Sequence, residues 1–211
     1  MELTKEQIQR VEKYLDKKGV KFIDFRIEIF DHIISQIEQQ LAIENADFKT
    51  IFHQVTNQWN KQLDETSSWL LGLTYTAPKI VIKKAKKVFT PYFIISFLPF
   101  LITFIPALLK KKIIINETIG YLTFSFIITF LLISLFYTFK IWKSKEKTVY
   151  SFIIKTQTLN FTLIPIVIID SSISDFFNIS ILLYIIVSAY YSRRFYKKHQ
   201  QEKERYSFLM G

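Results

Sequence analysis

Residues 89–109 read FTPYFIISFLPFLITFIPALL, 21 residues without a charge, and Lys110-Lys111-Lys112 follows at once. At about 1.5 Å per residue in a helix, such a run crosses about 30 Å of hydrocarbon. Thr118–Phe139 is again long and uncharged, and it meets Lys140, Trp142, Lys143, Lys145 and Lys147, the aromatic and basic boundary expected at a membrane face. Two further runs, Val149–Ile169 and Ile173–Tyr191, are separated only by Asp170-Ser171-Ser172 and read as a tight hairpin of spans, with Asp170 and Asp175 marking the turn. The fold class is therefore all-α: a small cytosolic three-helix bundle followed by a four-helix transmembrane domain. Residues 1–66 form the prefix, 67–88 a juxtamembrane basic linker, 89–193 the spans (89–109, 118–139, 149–169, 173–191) and 194–211 a basic cytosolic tail.

Charge supports that division. The net charge of +10 is not spread evenly: residues 1–82 sum to −2 and residues 83–211 to +12. The basic excess flanks the apolar runs, whereas a nucleic-acid groove would gather it on one soluble face, so no nucleic-acid partner is expected. Lys79, Lys83, Lys84, Lys86 and Lys87 precede the first span, four Lys follow the second, and Arg193, Arg194, Lys197 and Lys198 follow the fourth. Lys/Arg in short flanks stay on the inner side, which puts both termini in the cytoplasm of a bacterial inner membrane and leaves Lys110–Lys112 as the awkward feature. The start of the chain is polar and lacks the apolar core of a cleavable signal, so an uncleaved first span is expected to direct insertion.

Ahead of the spans, Thr4 to Lys18 carries Ile8, Val11 and Leu15 on one helical face, with Thr4 and Gln7 at capping-box spacing and Gly19 as terminator. Ile23, Ile27, Phe30, Ile34, Ile37 and Leu41 make a second stripe, and Asp47 caps a third helix with Phe48, Phe52, Val55, Trp59 and Leu63. Helices this short are marginal alone, so three such stripes bury one another. Their polar faces are slightly acidic and would not draw them onto anionic lipid.

The second stripe contains Arg26-Ile27-Glu28-Ile29-Phe30-Asp31-His32-Ile33, followed by Gln36-Ile37-Glu38. Residues 3–63 thereby resemble the helical prefix domains of bacterial membrane proteins and permeases, including the HAAS-type signalling domain, and uncharacterised inner-membrane proteins of the Bacteroidetes. That resemblance implies a regulatory prefix that binds a protein partner, with Arg26, Glu28, Asp31 and His32 as candidate contacts and no catalytic residue to carry over.

Inside the spans, Ser151, Lys155, Thr158 and Thr162 recur at helical spacing and give the third span a polar face, with Gln157 and Asn160 nearby. They could line a pathway, or Lys155 could snorkel to the headgroups while the hydroxyls bond neighbouring helices. With no Cys, three His and four scattered Gly there is no thiol chemistry, no metal-binding pattern and no phosphate loop. Glu28, Asp31 and His32 would be the metal set, yet no second His stands at matching spacing. No enzyme and no cofactor are expected. The expected partners are the lipid bilayer and a protein at the cytosolic domain; a homo-oligomer stays open, since four spans enclose little space. The leading function is a regulatory or scaffolding membrane protein; the alternative is a small transporter or channel subunit working through the Lys155 face.

Overall fold

The structure is a computed structural model that describes residues 2–43, 47–109, 113, 115–163 and 175–210. It is mostly helical and divides into two compact units. The first comprises Met1–Lys86, Glu146–Val149 and Gln201–Gly211; the second comprises Lys87–Lys145 and Tyr150–Gln200.

In the first unit, α1 (Lys5–Lys17) opens on a capping box: Gln7 N–H donates to Thr4 Oγ1 at 3.3 Å and Thr4 N–H to Gln7 Oε1 at 2.8 Å. Gly19, at φ 67°, closes it in a conformation that a side chain would strain. Val11 and Leu15 are buried, as their spacing predicts, and Ile8 is half-buried.

α2 (Ile23–Ile43) packs between α1 and α3 (Phe48–Leu63). Its phase departs from the expected one. Phe25, Ile29, Ile33 and Ile37 are buried, whereas Ile23, Ile27, Phe30, Ile34 and Leu41 are only half-buried. The helix is apolar over most of its circumference, so several stripes fit the sequence; having a neighbour on each side selects the stripe between them. α3 turns likewise. It is capped by Asp47, which accepts from Thr50 N–H, and it buries Ile51, Val55, Thr56 and Leu63, while Phe48, Phe52 and Trp59 lie half-buried. The Tyr14 hydroxyl donates to Thr56 O at 3.0 Å and to Asn60 Oδ1 at 3.1 Å, tying α1 to α3.

The first part of the segment expected to be a linker belongs to a β-hairpin, a small non-helical element among the described residues that the all-α reading did not include. β1 (Glu65–Ser68) pairs antiparallel with β2 (Gly72–Pro78) in the register Glu65↔Pro78, Thr66↔Ala77 and Ser68↔Gly72. A 3₁₀ turn, Trp69–Leu71, joins them, and Gly72 sits at φ 94°. α4 (Lys79–Leu108) starts directly after, ten residues before Phe89.

The second unit contains most of α4, α5 (Glu117–Trp142), α6 (Val149–Thr156) from Tyr150 onward, a π-helical stretch at Leu159–Leu163, and α7 (Phe177–Met210) as far as Gln200. Ile127, Ile181 and Ile185 form a buried cluster with Phe100, Phe130, Leu131, Phe177 and Leu182 around it. Among the described residues, two helices are long and apolar enough to cross a membrane, Lys79–Pro106 and Glu117–Trp142, with mean hydropathies of 2.1 and 2.2. Only 28% and 22% of their apolar windows are buried, unlike the core helix of a water-soluble protein. The expected third and fourth spans run into residues 164–174, and with them Pro165, Asp170 and the hairpin turn lie outside the described residues, as does Lys110–Lys112.

The corrected phase of α2 can be tested by truncating adjacent isoleucines. Ile33→Ala, at a fully buried position, should cost about 2–5 kcal/mol, and Ile34→Ala less than half of that. Urea unfolding of the whole chain in detergent, followed by tryptophan emission, reads the difference; equal losses would restore the stripe expected from the sequence.

Candidate functional site

Of the four residues singled out on α2, the structure separates one from three. Arg26 is an internal strut: its Nη1 donates to Asp16 Oδ1 at 2.7 Å and to Val20 O at 3.1 Å, bracing the turn between α1 and α2. Glu28, Asp31 and His32 are exposed. His32 stacks on Trp59 with ring centroids 6.5 Å apart, and the Trp59 indole N–H donates to Gln36 Oε1 at 2.8 Å, so the imidazole rests on a fixed platform. Among the described residues, no group of three or more His, Cys, Asp or Glu is arranged to hold a metal.

The most unusual polar group of this unit is one the sequence reading passed over. Asp24, in the first turn of α2, has a side chain that is 0% exposed. Its carboxylate accepts from Val149 N–H, the first residue of α6, at 3.1 Å to Oδ2 and 3.3 Å to Oδ1. Reciprocally, Ile23 N–H donates to Lys147 O at 2.9 Å, and Phe22 forms a parallel bridge with Lys147. The two helix starts thus satisfy each other's unpaired amides. Lys84 Nζ stands 3.8 Å from Asp24 Oδ2 and lies over the Phe25 ring at 4.5 Å. A crevice of about 30 Å³, room for about one water, opens beside Asp24 against Glu28, Glu202, Arg205 and Tyr206.

Burial pushes the Asp24 carboxyl up to about 6, with the Val149 amide and the Lys84 charge opposing that rise and Glu202 adding to it. Tyr14 is pushed up to about 12, by burial first and the Asp64 charge second.

The polar face foreseen along residues 151–162 is only partly a face. Ser151 and Thr162 are buried, Lys155 and Thr158 half-buried. Thr158 Oγ1 donates to Ile154 O at 2.8 Å and accepts from the Trp142 indole N–H at 3.0 Å, and Thr162 Oγ1 donates to Thr158 O at 2.7 Å. The π-helical stretch breaks the regular register. Its carbonyls are taken up by side chains the sequence did not point to: Tyr184 Oη donates to Asn160 O at 2.7 Å and Ser134 Oγ to Phe161 O at 3.0 Å. Ser180 Oγ donates to Pro99 O at 2.7 Å, and Tyr92 Oη meets Ser188 Oγ at 3.2 Å, with the Tyr92 ring stacked on Phe161. Lys155 has no ion pair among the described residues.

No known protein family, curated protein or solved structure matches the chain.

Asp24 gives the first unit a pH-dependent stability of definite sign. A carboxyl whose folded value is raised from 3.8 to about 6 contributes stability that is complete below about pH 4 and lost as pH rises through about 6, on the order of 3 kcal/mol. Asp24→Asn keeps an acceptor for Val149 N–H and removes the charge, so its melting temperature should exceed that of the parent at pH 8 and converge with it near pH 4. Parallel melting curves at both pH values would contradict the burial of an ionisable group here.

Proposed function

We propose that the chain is a four-span protein of a bacterial cytoplasmic membrane, with both termini inside, whose helical N-terminal region binds a protein partner that the spans anchor at the membrane. One observation carries the membrane part: the second unit presents large apolar side chains outward as well as packing them inside. Ile94, Leu98, Leu101, Phe104, Leu122 and Leu132 face outward, more than half exposed. Ser96, Ser134, Gln157, Ser180 and Ser188 face inward. Water would penalise that outer surface, whereas hydrocarbon matches it and obliges the inner hydroxyls to pair with one another and with carbonyls. Cation–π contacts of Lys140 with Phe136 and of Lys143 with Phe139 fit the basic, aromatic boundary at the end of α5.

Topology can be read directly, because the chain has no Cys to interfere. Asn116→Cys, in the first loop between spans, should react with a membrane-impermeant maleimide in intact cells, while Gln39→Cys on α2 should react only after lysis. Labelling of Gln39→Cys in intact cells, or release of the chain by alkaline carbonate, would overturn the arrangement.

For the partner, support comes from the exposed Glu28–Asp31–His32 surface on a braced helix, with none of the three engaged in an ion pair among the described residues. The resemblance to HAAS-type prefixes points the same way. Transport through the Lys155 face is the weaker reading, since Thr158 and Thr162 of that face bond their own backbone. The two readings separate on paired variants. Asp31→Ala combined with His32→Ala should lose the protein that co-purifies with the whole chain from native membrane, while Lys155→Leu should retain it with only slight loss of stability. Retention in the first and a functional defect in the second would favour transport.

A further inference from the structure

The hairpin between α3 and α4 exposes what a soluble turn would hide. Trp69 is 77% exposed, Leu73 68% and Tyr75 44%. From Thr66 to Pro78 the chain carries no charge, and Glu65, at the base, is held by Thr76, whose hydroxyl donates to Glu65 Oε2 at 3.3 Å. Between the pairs Thr66↔Ala77 and Ser68↔Gly72, the single residue Ser67 stands opposite the run Leu73–Thr76, so β2 bows out of the ladder there and carries Leu73 and Tyr75 with it. Gly72 is required in that shape: its φ is 94°, and a Cβ would come within 3.0 Å of the Tyr75 ring. The tip is therefore a set conformation that presents an indole, a phenol and the Leu73 side chain.

We propose that this tip is a lipid-contacting element that seats Trp69, Leu73 and Tyr75 in the headgroup–acyl boundary of the bilayer. The proposal rests on the membrane reading above. Composition and continuity select lipid over a protein partner. Trp and Tyr are the side chains enriched at that boundary because one end is apolar and the other polar. The helix that begins at the hairpin's base bears exposed Lys79, Lys83 and Lys86 in its first turns, cations suited to anionic headgroups, before its apolar run begins.

The chain has three Trp, which permits a clean test. A chain retaining only Trp69, made with Trp59→Phe and Trp142→Phe, and a chain retaining only Trp142 are reconstituted in phosphatidylcholine–phosphatidylglycerol vesicles, with or without bromine on the upper acyl carbons. Trp69 emission should fall about twofold in the brominated vesicles, the depth of interfacial side chains being about 5–10 Å below the headgroups. Trp142, at the end of α5, reports span insertion separately. Trp142 quenched with Trp69 unquenched overturns the lipid role and leaves a protein-facing tip, while loss of quenching at both overturns the membrane reading as well. A second measurement avoids replacing Trp59: Leu73→Cys labelled with an environment-sensitive fluorophore in the otherwise Cys-free chain should shift to the blue in vesicles, and an unshifted spectrum in inserted protein also overturns the proposal.

Discussion

Uncovered hydrocarbon on α4 and α5 is the constraint to which the rest of this molecule answers. Each large apolar side chain left in water forgoes about 1.5–3 kcal/mol, and these two helices present them along most of their length. Marginal folding free energies cannot absorb a loss repeated so many times. On the membrane reading proposed above, a bilayer covers that surface.

Once lipid is the solvent, the interior of the second unit becomes intelligible. α4 carries Pro91, Pro99 and Pro106, each of which removes one donor from the helical ladder. Hydroxyls along the helix bond other carbonyls of it: Ser96 donates to Phe93 O at 2.9 Å, Thr103 to Phe100 O at 3.2 Å, and Ser180 to Pro99 O. The π-helical stretch is served in the same way by Ser134 and Tyr184. Small hydroxyl residues that look scattered in the sequence thus pair with carbonyls inside the unit, as an interior surrounded by lipid requires.

What the sequence made legible follows from the range of each interaction. The caps are local, and Thr4 with Gln7, Asp47 and Gly19 could all be read from spacing alone. Span length is local too, and it identified α4 and α5. Helix phase is not local: α2 offers Ile or Phe at so many positions that its buried stripe is decided by α1 and α3, and Ile33 rather than Ile34 ends up inside. The hairpin escaped notice because its strands are short and bowed and lack regular alternation; Gly72 was the single signal of a turn. Asp24 escaped because its partner, Val149, lies 125 residues further along the chain. Arg26 was singled out as a contact and is a strut, since nothing in a one-dimensional motif distinguishes a guanidinium facing Asp16 from one facing solvent.

Asp24 also shows why a fold retains a group that weakens it. The amide of Val149 opens α6 and needs an acceptor, which Asn, Ser or a protonated carboxyl could supply equally well. A carboxylate adds charge to a side chain that is 0% exposed, and Lys84, at 3.8 Å and partly solvated, offsets only part of the desolvation. As a pure staple, then, the residue is a poor choice. What distinguishes it from an uncharged acceptor is that the cost of its charge depends on its surroundings: burial and Glu202 oppose the ion, while Lys84 favours it. Arg205 lies along the same crevice, 4.0 Å from Glu202, so a change in that pair alters the field at Asp24 as well. The start of α6 is therefore held by an acceptor whose charged form burial disfavours, a cost that an uncharged acceptor would not carry.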